Sequence, residues 1–353
     1  MRSRAALAAL TLLVLAAPSA RAQRGGDEAD PARVGALLAT LAHDSLEGRD
    51  TGSRGGNAAA RIIAAELRRA GLAPAGDSGF FQRVPLAWQT VTLQNGQTRR
   101  RLVFLTDSAA ARDSTLAANP VTAVNVIGVL RGGDPALREE AVVVTAHYDH
   151  VGIRAPVNGD SIYNGADDDA SGTVAVLEIA RLLAGQRPAP RRTVVFVLVT
   201  GEERGLLGTR WYLEHPVHPL ARTVLNLNIE MIGRPDSLAG GSGRGWLTGF
   251  ERSSVGAMLR KAGLPLVPDP RPQENFFQRS DNIAFAMRGI PAHTISSYNL
   301  HTDYHRPSDE ARFADPAHMA ALITASGRAV SVLADGPAPT WAPGDPYATR
   351  RVN

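Results

Sequence analysis

Apolar positions fall into two rhythms along this chain. From Val124 onward they gather into short, branched and nearly unbroken runs: "VNVIGVL", "AVVVTAH", "TVVFVLVT" and "TVLNLNIEMI". Such runs read as strands buried on both faces of a parallel or mixed sheet. Helical spacing separates or follows them over Gly172 to Leu183, Leu206 to Leu213, Glu251 to Ala262, Asp281 to Arg288 and Pro316 to Leu333. Two amphipathic helices come first, Pro31 to Leu41 and Asn57 to Ala70, the second closed by Gly71 as C-cap and Pro74 as stop. Between them "LEGRDTGSRGG" is a loop rich in glycine and charge. Phe80 to Leu116 is less regular, with alternating segments such as "RRLVFLTD". Strands alternating with helices predict an α/β protein with a mostly parallel mixed central sheet, flanked by helices on both faces. No repeat or clear second domain is visible, so residues 31–335 are read as one domain and the proline-rich residues 336–353 as a loose tail.

The start changes the picture of where the protein resides. "MRSRAALAALTLLVLAAPSARAQ" has a basic start, an apolar stretch from Ala5 to Ala17 and an A-x-A site at Ala20 to Ala22. That stretch is too short to span a bilayer and ends in a cleavage site, which predicts a secretory signal peptide over residues 1–22 and a polar leader over 23–30. The expected location is periplasmic or extracellular, with no stable membrane insertion. Zero cysteines exclude disulfides, thiolate metal sites and cysteine nucleophiles together.

Charge matters less than the pI of about 9.8 suggests. Of 38 basic residues against 34 acidic, three arginines lie in the expected leader, so the remainder is close to neutral. Arginine supplies nearly all the base, Lys261 being the sole lysine. Single-sign clustering is missing, and the short "RRR" at Arg99 to Arg101 reads as a solvated hairpin edge. No nucleic-acid partner is expected.

Candidate chemistry sits just past the strand ends, where open α/β sheets build their sites. "HYDHVG" places His147 at the end of one strand, with Asp149 and His150 behind it. "NGADDDASG" puts Asp167, Asp168 and Asp169 at a glycine-flanked loop opening a helix. An N-cap accounts for one acid there; a ligand bridging two cations accounts better for a dense negative cluster. "TGEERG" sets Glu202 beside Glu203, "NIEMIG" inserts Glu230 into an apolar strand end, and "SYNLHTDYHRPSDE" offers His301 and His305. Each has a bland reading alone, as packing residue, cap or wet turn. Five such segments, most at the strand ends of one sheet, point to a metal site. Nitrogen and oxygen donors without thiolates suit zinc.

In "AHYDHVG", "NGADDDASG", "TGEERGLLG", "NIEMIG", "SDNIAFAMRGIPA" and "YHRPSDE", in that order, the chain resembles the secreted di-zinc aminopeptidases. These belong to the superfamily of zinc exopeptidases that includes bacterial leucyl aminopeptidases and glutamate carboxypeptidases. The resemblance implies the family's α/β/α sandwich, two Zn2+ per chain (with Co2+ or Mn2+ as substitutes) and peptide substrates cut at the amino terminus. By the same resemblance His147 and Glu230 would hold one zinc, Glu203 and His305 the other, and Asp168 would bridge them. Asp149 would support His147, Asp169 the Asp168 backbone, Glu202 would be the general base and Tyr304 would stabilise the oxyanion. His301 receives no role. The chain departs from the family in having Glu230 where aspartate is common and Asn282 where histidine is common. The segment from Phe80 to Val124 is too short for the domain inserted in some relatives. Two related enzymes stay open as alternatives, a carboxypeptidase and a glutaminyl cyclase, as does an inactive binding protein on the same scaffold. Phe276 and Phe277 read equally as lining for a substrate pocket or as loop anchors.

Overall fold

The computed structural model describes residues 28–350, so the expected signal peptide and most of the polar leader lie outside the described residues. Among the described residues twelve strands occur: β1 (Ala73–Pro74), β2 (Phe81–Thr92), β3 (Thr98–Phe104), β4 (Pro120–Leu130), β5 (Ala141–His147), β6 (Gly152–Val157), β7 (Asp160–Tyr163), β8 (Thr193–Val199), β9 (Thr223–Ile229), β10 (Gly245–Leu247), β11 (Leu266–Pro268) and β12 (Ala292–Ser296). The α-helices among the same residues are α1 (Pro31–Leu41), α2 (Arg54–Arg69), α3 (Asp107–Arg112), α4 (Gly172–Gly185), α5 (Leu207–Glu214), α6 (Ser254–Lys261), α7 (Asn282–Ala286) and α8 (Pro316–Asp335).

The main sheet runs β11-β10-β12-β9-β5-β8-β4-β2-β3, with β1 paired to β4, while β6 and β7 form a separate hairpin. β12, β9, β5 and β8 are mutually parallel and form its heart. Toward the margins the pairing turns antiparallel, β10 with β12 on one side, where β11 then adds in parallel to β10, and β8 with β4, β4 with β2 and β2 with β3 on the other. The apolar run "VNVIGVL" is thus a strand as expected, but an antiparallel one. The irregular stretch from Phe80 resolves into the long β2–β3 hairpin.

Strand alternation sends successive side chains to opposite faces. Val142, Val144, Phe196, Leu198 and Leu227 face one layer, made of α1, α2, α4, α6 and α8. Val143, Val195, Val197 and Val199 face a second layer, made of α5 and α7. Helix starts follow capping chemistry: the Ser53 hydroxyl accepts from Gly56 N–H at α2, and Asp315 accepts from Ala317 and His318 N–H at α8. α8 is long and apolar enough to cross a membrane, yet most of it is buried in the first layer. The proline-rich segment expected to be loose is instead docked over its described part. Trp341 Nε1–H donates to the Gly289 carbonyl, and Trp341 and Tyr347 pack into the second layer.

Candidate metal centre

Because the central strands are parallel, their carboxyl ends open on one edge. His147 ends β5 level with Val199 at the end of β8, and Ile229 ends β9 level with Ile295 of β12. The loops leaving these ends are tied together by Arg49, a charged residue only 1% exposed. Its guanidinium donates to the carbonyls of Leu41, Tyr148, Asn164 and Gly165, so one side chain braces the His147 loop against the aspartate loop. Burial lowers its pKa to about 10, and the carboxylates of Asp309, Asp168, Asp169 and Asp149 oppose that shift. Gly165 sits at φ 57, and a Cβ there would lie 2.4 Å from the His150 ring. Only glycine allows the aspartate loop to approach so closely.

The three aspartates divide their work. Asp167 Oδ1 accepts from Gly233 N–H and Asp169 Oδ1 from Gly172 and Met231 N–H, so the outer two are engaged by backbone. Asp168, held through its N–H to Asp309, faces the cleft. Its Oδ1 lies 3.3 Å from His147 Nε2, and its Oδ2 lies 3.0 Å from His305 Nε2. One carboxylate therefore presents an oxygen to each side.

Two donor groups result. His147, Asp168 and Glu230 form one, with Glu230 Oε1 4.0 Å from His147 Nε2. His150, Asp168, Glu203 and His305 form the other: Glu203 Oε1 is 2.9 Å from His150 Nδ1 and 3.1 Å from His305 Nε2. A tetrahedral zinc with bonds of about 2.0–2.2 Å spaces its ligands by about 3.3–3.6 Å, which these separations bracket. His147 Nε2, His150 Nδ1, Asp168 Oδ2, Glu203 Oε1 and His305 Nε2 are buried without a hydrogen-bond partner. Five orphaned polar atoms would cost on the order of 10 kcal/mol, comparable to a whole domain's stability. A cation drawing on their lone pairs removes that cost, so the residues fit divalent metal.

Titration behaviour follows from the same crowding. Burial and the Asp168 charge oppose ionisation of Glu203, but the imidazoles of His150 and His305 close beside it hold its pKa down at about 2. Burial pushes Glu230 up to about 7 and Glu202 well above the usual carboxylate range, with Asp281 and neighbouring glutamates adding to the Glu202 shift. Glu202 belongs to neither donor group. Its backbone N–H donates to Asp149 Oδ1, while Asp149 Oδ2 accepts from the Thr51 hydroxyl. His147 Nδ1 is oriented by the Asp149 main-chain carbonyl at 3.0 Å, with the carboxylate 3.8 Å away. Asp149 thus supports His147 through its backbone and Glu202 through its side chain. Tyr304 stacks on His305, ring centroids 4.0 Å apart, and lines a small pocket with Glu230, Trp246, Phe276, Arg279 and Tyr298.

All the expected site residues gather at this edge. Four others belong there that the sequence reading left unassigned. Arg49 lay in a loop noted only for its charge, and Asp309 in a motif credited only for His305. His150 carries the same signal as His147, an imidazole in a polar strand-end run. His301, given no role, has Nε2 2.8 Å from Asp167 Oδ2 and ties its loop to the aspartates. Phe276 and Phe277 split the two readings offered for them: Phe276 stacks on Trp246 in the pocket, and Phe277 anchors in the second layer.

Residues 125–329 match the profile of "Peptidase family M28", more than half of the chain. A probable zinc metalloprotease of Pyricularia oryzae is 31% identical over 61% of this chain and 36% of its own length. A probable leucine aminopeptidase 2 of Aspergillus fumigatus is 28% identical over 74% of this chain and 46% of its own length. The chain thus spans less than half of each of these relatives. Among solved structures, an aminopeptidase from Aneurinibacillus sp. strain AM-1 superposes with a TM-score of 0.60 at 16% identity, covering 86% of this chain and 93% of that one. At that identity the likeness speaks for the shared α/β fold.

Proposed function

The chain belongs to peptidase family M28, and on that premise we propose that it is an exported aminopeptidase working with two zinc ions. The observation that carries the reading is the pair of donor groups sharing Asp168, with five lone-pair atoms converging and unpartnered. His147, Asp168 and Glu230 would hold one ion, and His150, Asp168, Glu203 and His305 the other. Bound there, divalent metal supplies Lewis-acid polarisation of the scissile carbonyl and a water made acidic near neutral pH.

The protein's own groups do the rest. Glu202 stands beside both donor groups without joining either, which leaves its carboxylate available as a general base. It takes the proton of the attacking water and passes it to the departing amine. Tyr304 stacks on His305 beside Glu230, which suits its hydroxyl to donate to the developing oxyanion. The pocket of Trp246, Phe276 and Tyr298 receives the side chain of the residue being released.

A panel of aminoacyl anilides and amino-blocked peptides, run with and without chelator beside elemental analysis, tests this. Cleavage of free-amine substrates alone, lost on chelation, with two zinc ions per chain, is expected. Cleavage only of free-carboxylate substrates would overturn the aminopeptidase reading. N-terminal sequencing that found the secreted chain still starting at Met1 would overturn the cleaved leader.

A further inference from the structure

We infer that an arginine-lined cleft beside Glu203 binds a carboxylate on the leaving-group portion of the substrate, a role that rests on the exopeptidase reading above. The triple arginine of the sequence has no part in the metal site, but it does not simply edge a hairpin. In the β2–β3 register Trp88 opposes Leu102 and Leu86 opposes Phe104, so Arg100, two residues from Leu102, shares their face. Across that face the segment following Glu203 brings up Arg204 and Arg210. The space enclosed is about 530 Å3, with Trp88, Arg100, Phe104, Glu203, Arg204 and Arg210 in its wall.

Aromatic rings set the guanidinium groups in place. Arg100 lies over the Trp88 ring at 4.8 Å and Arg204 over the same ring at 5.9 Å, while Arg210 lies over Phe104 at 5.4 Å. Arg204 is neutralised by Asp50, whose two oxygens accept from its Nη2 at 2.6 and 2.7 Å. Among the described residues, no carboxylate pairs with Arg100 or Arg210, and both are exposed. Two stacked, uncompensated forks therefore face a cleft whose wall includes Glu203, in a chain otherwise close to neutral. A planar fork held on an aromatic ring loses little freedom when it binds a carboxylate through two parallel hydrogen bonds.

The position selects the side of the substrate. The aromatic pocket has Glu230 and Tyr304 in its wall, and the arginine cleft has Glu203, which belongs to the other donor group from Glu230. A peptide with its first side chain in the former extends past the metal centre toward the latter. The carboxylate arriving there has two sources: the C-terminus of a short peptide, or an aspartate or glutamate side chain downstream of the cut.

The probe is Leu-Ala-Ala with its first amide replaced by CH2–NH, prepared as the free acid and as the C-terminal amide. Binding to the intact zinc-loaded protein is read by calorimetry, so the result does not depend on turnover. The acid should bind about tenfold more tightly than the amide, and the ratio should fall toward one in 1 M NaCl and in the Arg100→Gln/Arg210→Gln variant. An amide-capped peptide with glutamate in place of the third residue tells the sources apart: tighter binding than its glutamine counterpart assigns side chains, and equal binding assigns the C-terminus. Equal affinity of acid and amide together with equal affinity of the glutamate and glutamine peptides for the wild-type protein, or a preference for the carboxylate that is unchanged in the double variant, overturns the inference. Hydrolysis of ordinary Leu-Ala-Ala-amide, measured alongside, reports on the peptidase reading separately.

Discussion

Two nodes of the same sheet bury histidine, and they treat it in opposite ways. His293 on β12 is fully buried, with Nδ1 2.7 Å from the Thr248 carbonyl and Nε2 2.6 Å from the Ser253 hydroxyl. A neutral imidazole donating to the carbonyl and accepting from the hydroxyl uses both nitrogens there. His147 on β5 is as deeply buried, but only Nδ1 is engaged; Nε2 points with its neighbours' lone pairs into a shared space. Buried polarity alone therefore says little about function. What marks the metal edge is the set of groups that the protein itself leaves unsatisfied.

The largest effect expected from breaking this distinction is chemical. Glu202→Gln keeps every proposed ligand and should keep both metal ions by elemental analysis, while kcat for an aminoacyl anilide falls by about 10^2–10^4. Wild-type turnover in that variant would remove Glu202 from its assigned role. Chelation comes next, because it leaves the converging lone-pair atoms of the two donor groups without the cation that would satisfy them. Calorimetry should show Tm lowered by about 5–10 °C, recovered on adding zinc back; an unchanged Tm would mean that metal contributes nothing to stability. His150→Gln sharpens the comparison further. It should weaken zinc retention by about 10–100-fold in a chelator titration, with activity regained at high zinc, whereas His293→Gln should retain zinc as the parent does.

The same distinction explains what could be read from the chain beforehand. The heart of the sheet was legible in "AVVVTAH" and "TVVFVLVT" because strands buried on both faces must be apolar without interruption. Glu230 stood out because a charge in such a run is costly unless something holds it, whereas Asp168 and Glu203 were told from their acidic neighbours by the resemblance alone. Arg49 was not legible: its value lies in carbonyls contributed by Leu41, Tyr148 and Asn164, which only the folded chain assembles. The arginine cleft was hidden for a similar reason, since Arg100 and Arg210 lie on separate elements and meet through Trp88 and Phe104. The tail misled in the opposite direction, for prolines that bar a helix do not bar Trp341 and Tyr347 from docking.

The smallest effect tests the satisfied node. Burial depresses the His293 pKa to about 4, against an ordinary value of 6.5. The unfolded chain then takes up a proton that the folded one refuses, so stability falls as pH drops from about 6.5 toward 4 and falls no further below that. Between pH 6.5 and 5.5 the loss from this residue is about 1 kcal/mol, roughly 1–2 °C in Tm. Carboxylates near the metal, such as Asp149 raised to about 6 by burial, push the other way, so the difference between parent and variant is the quantity to measure. His293→Gln, compared with the parent in the zinc-loaded state, should flatten the curve over that window. Equal pH dependence in the two proteins would mean that the His293 node accommodates a charge after all, and that its contrast with the metal edge is one of geometry rather than of protonation.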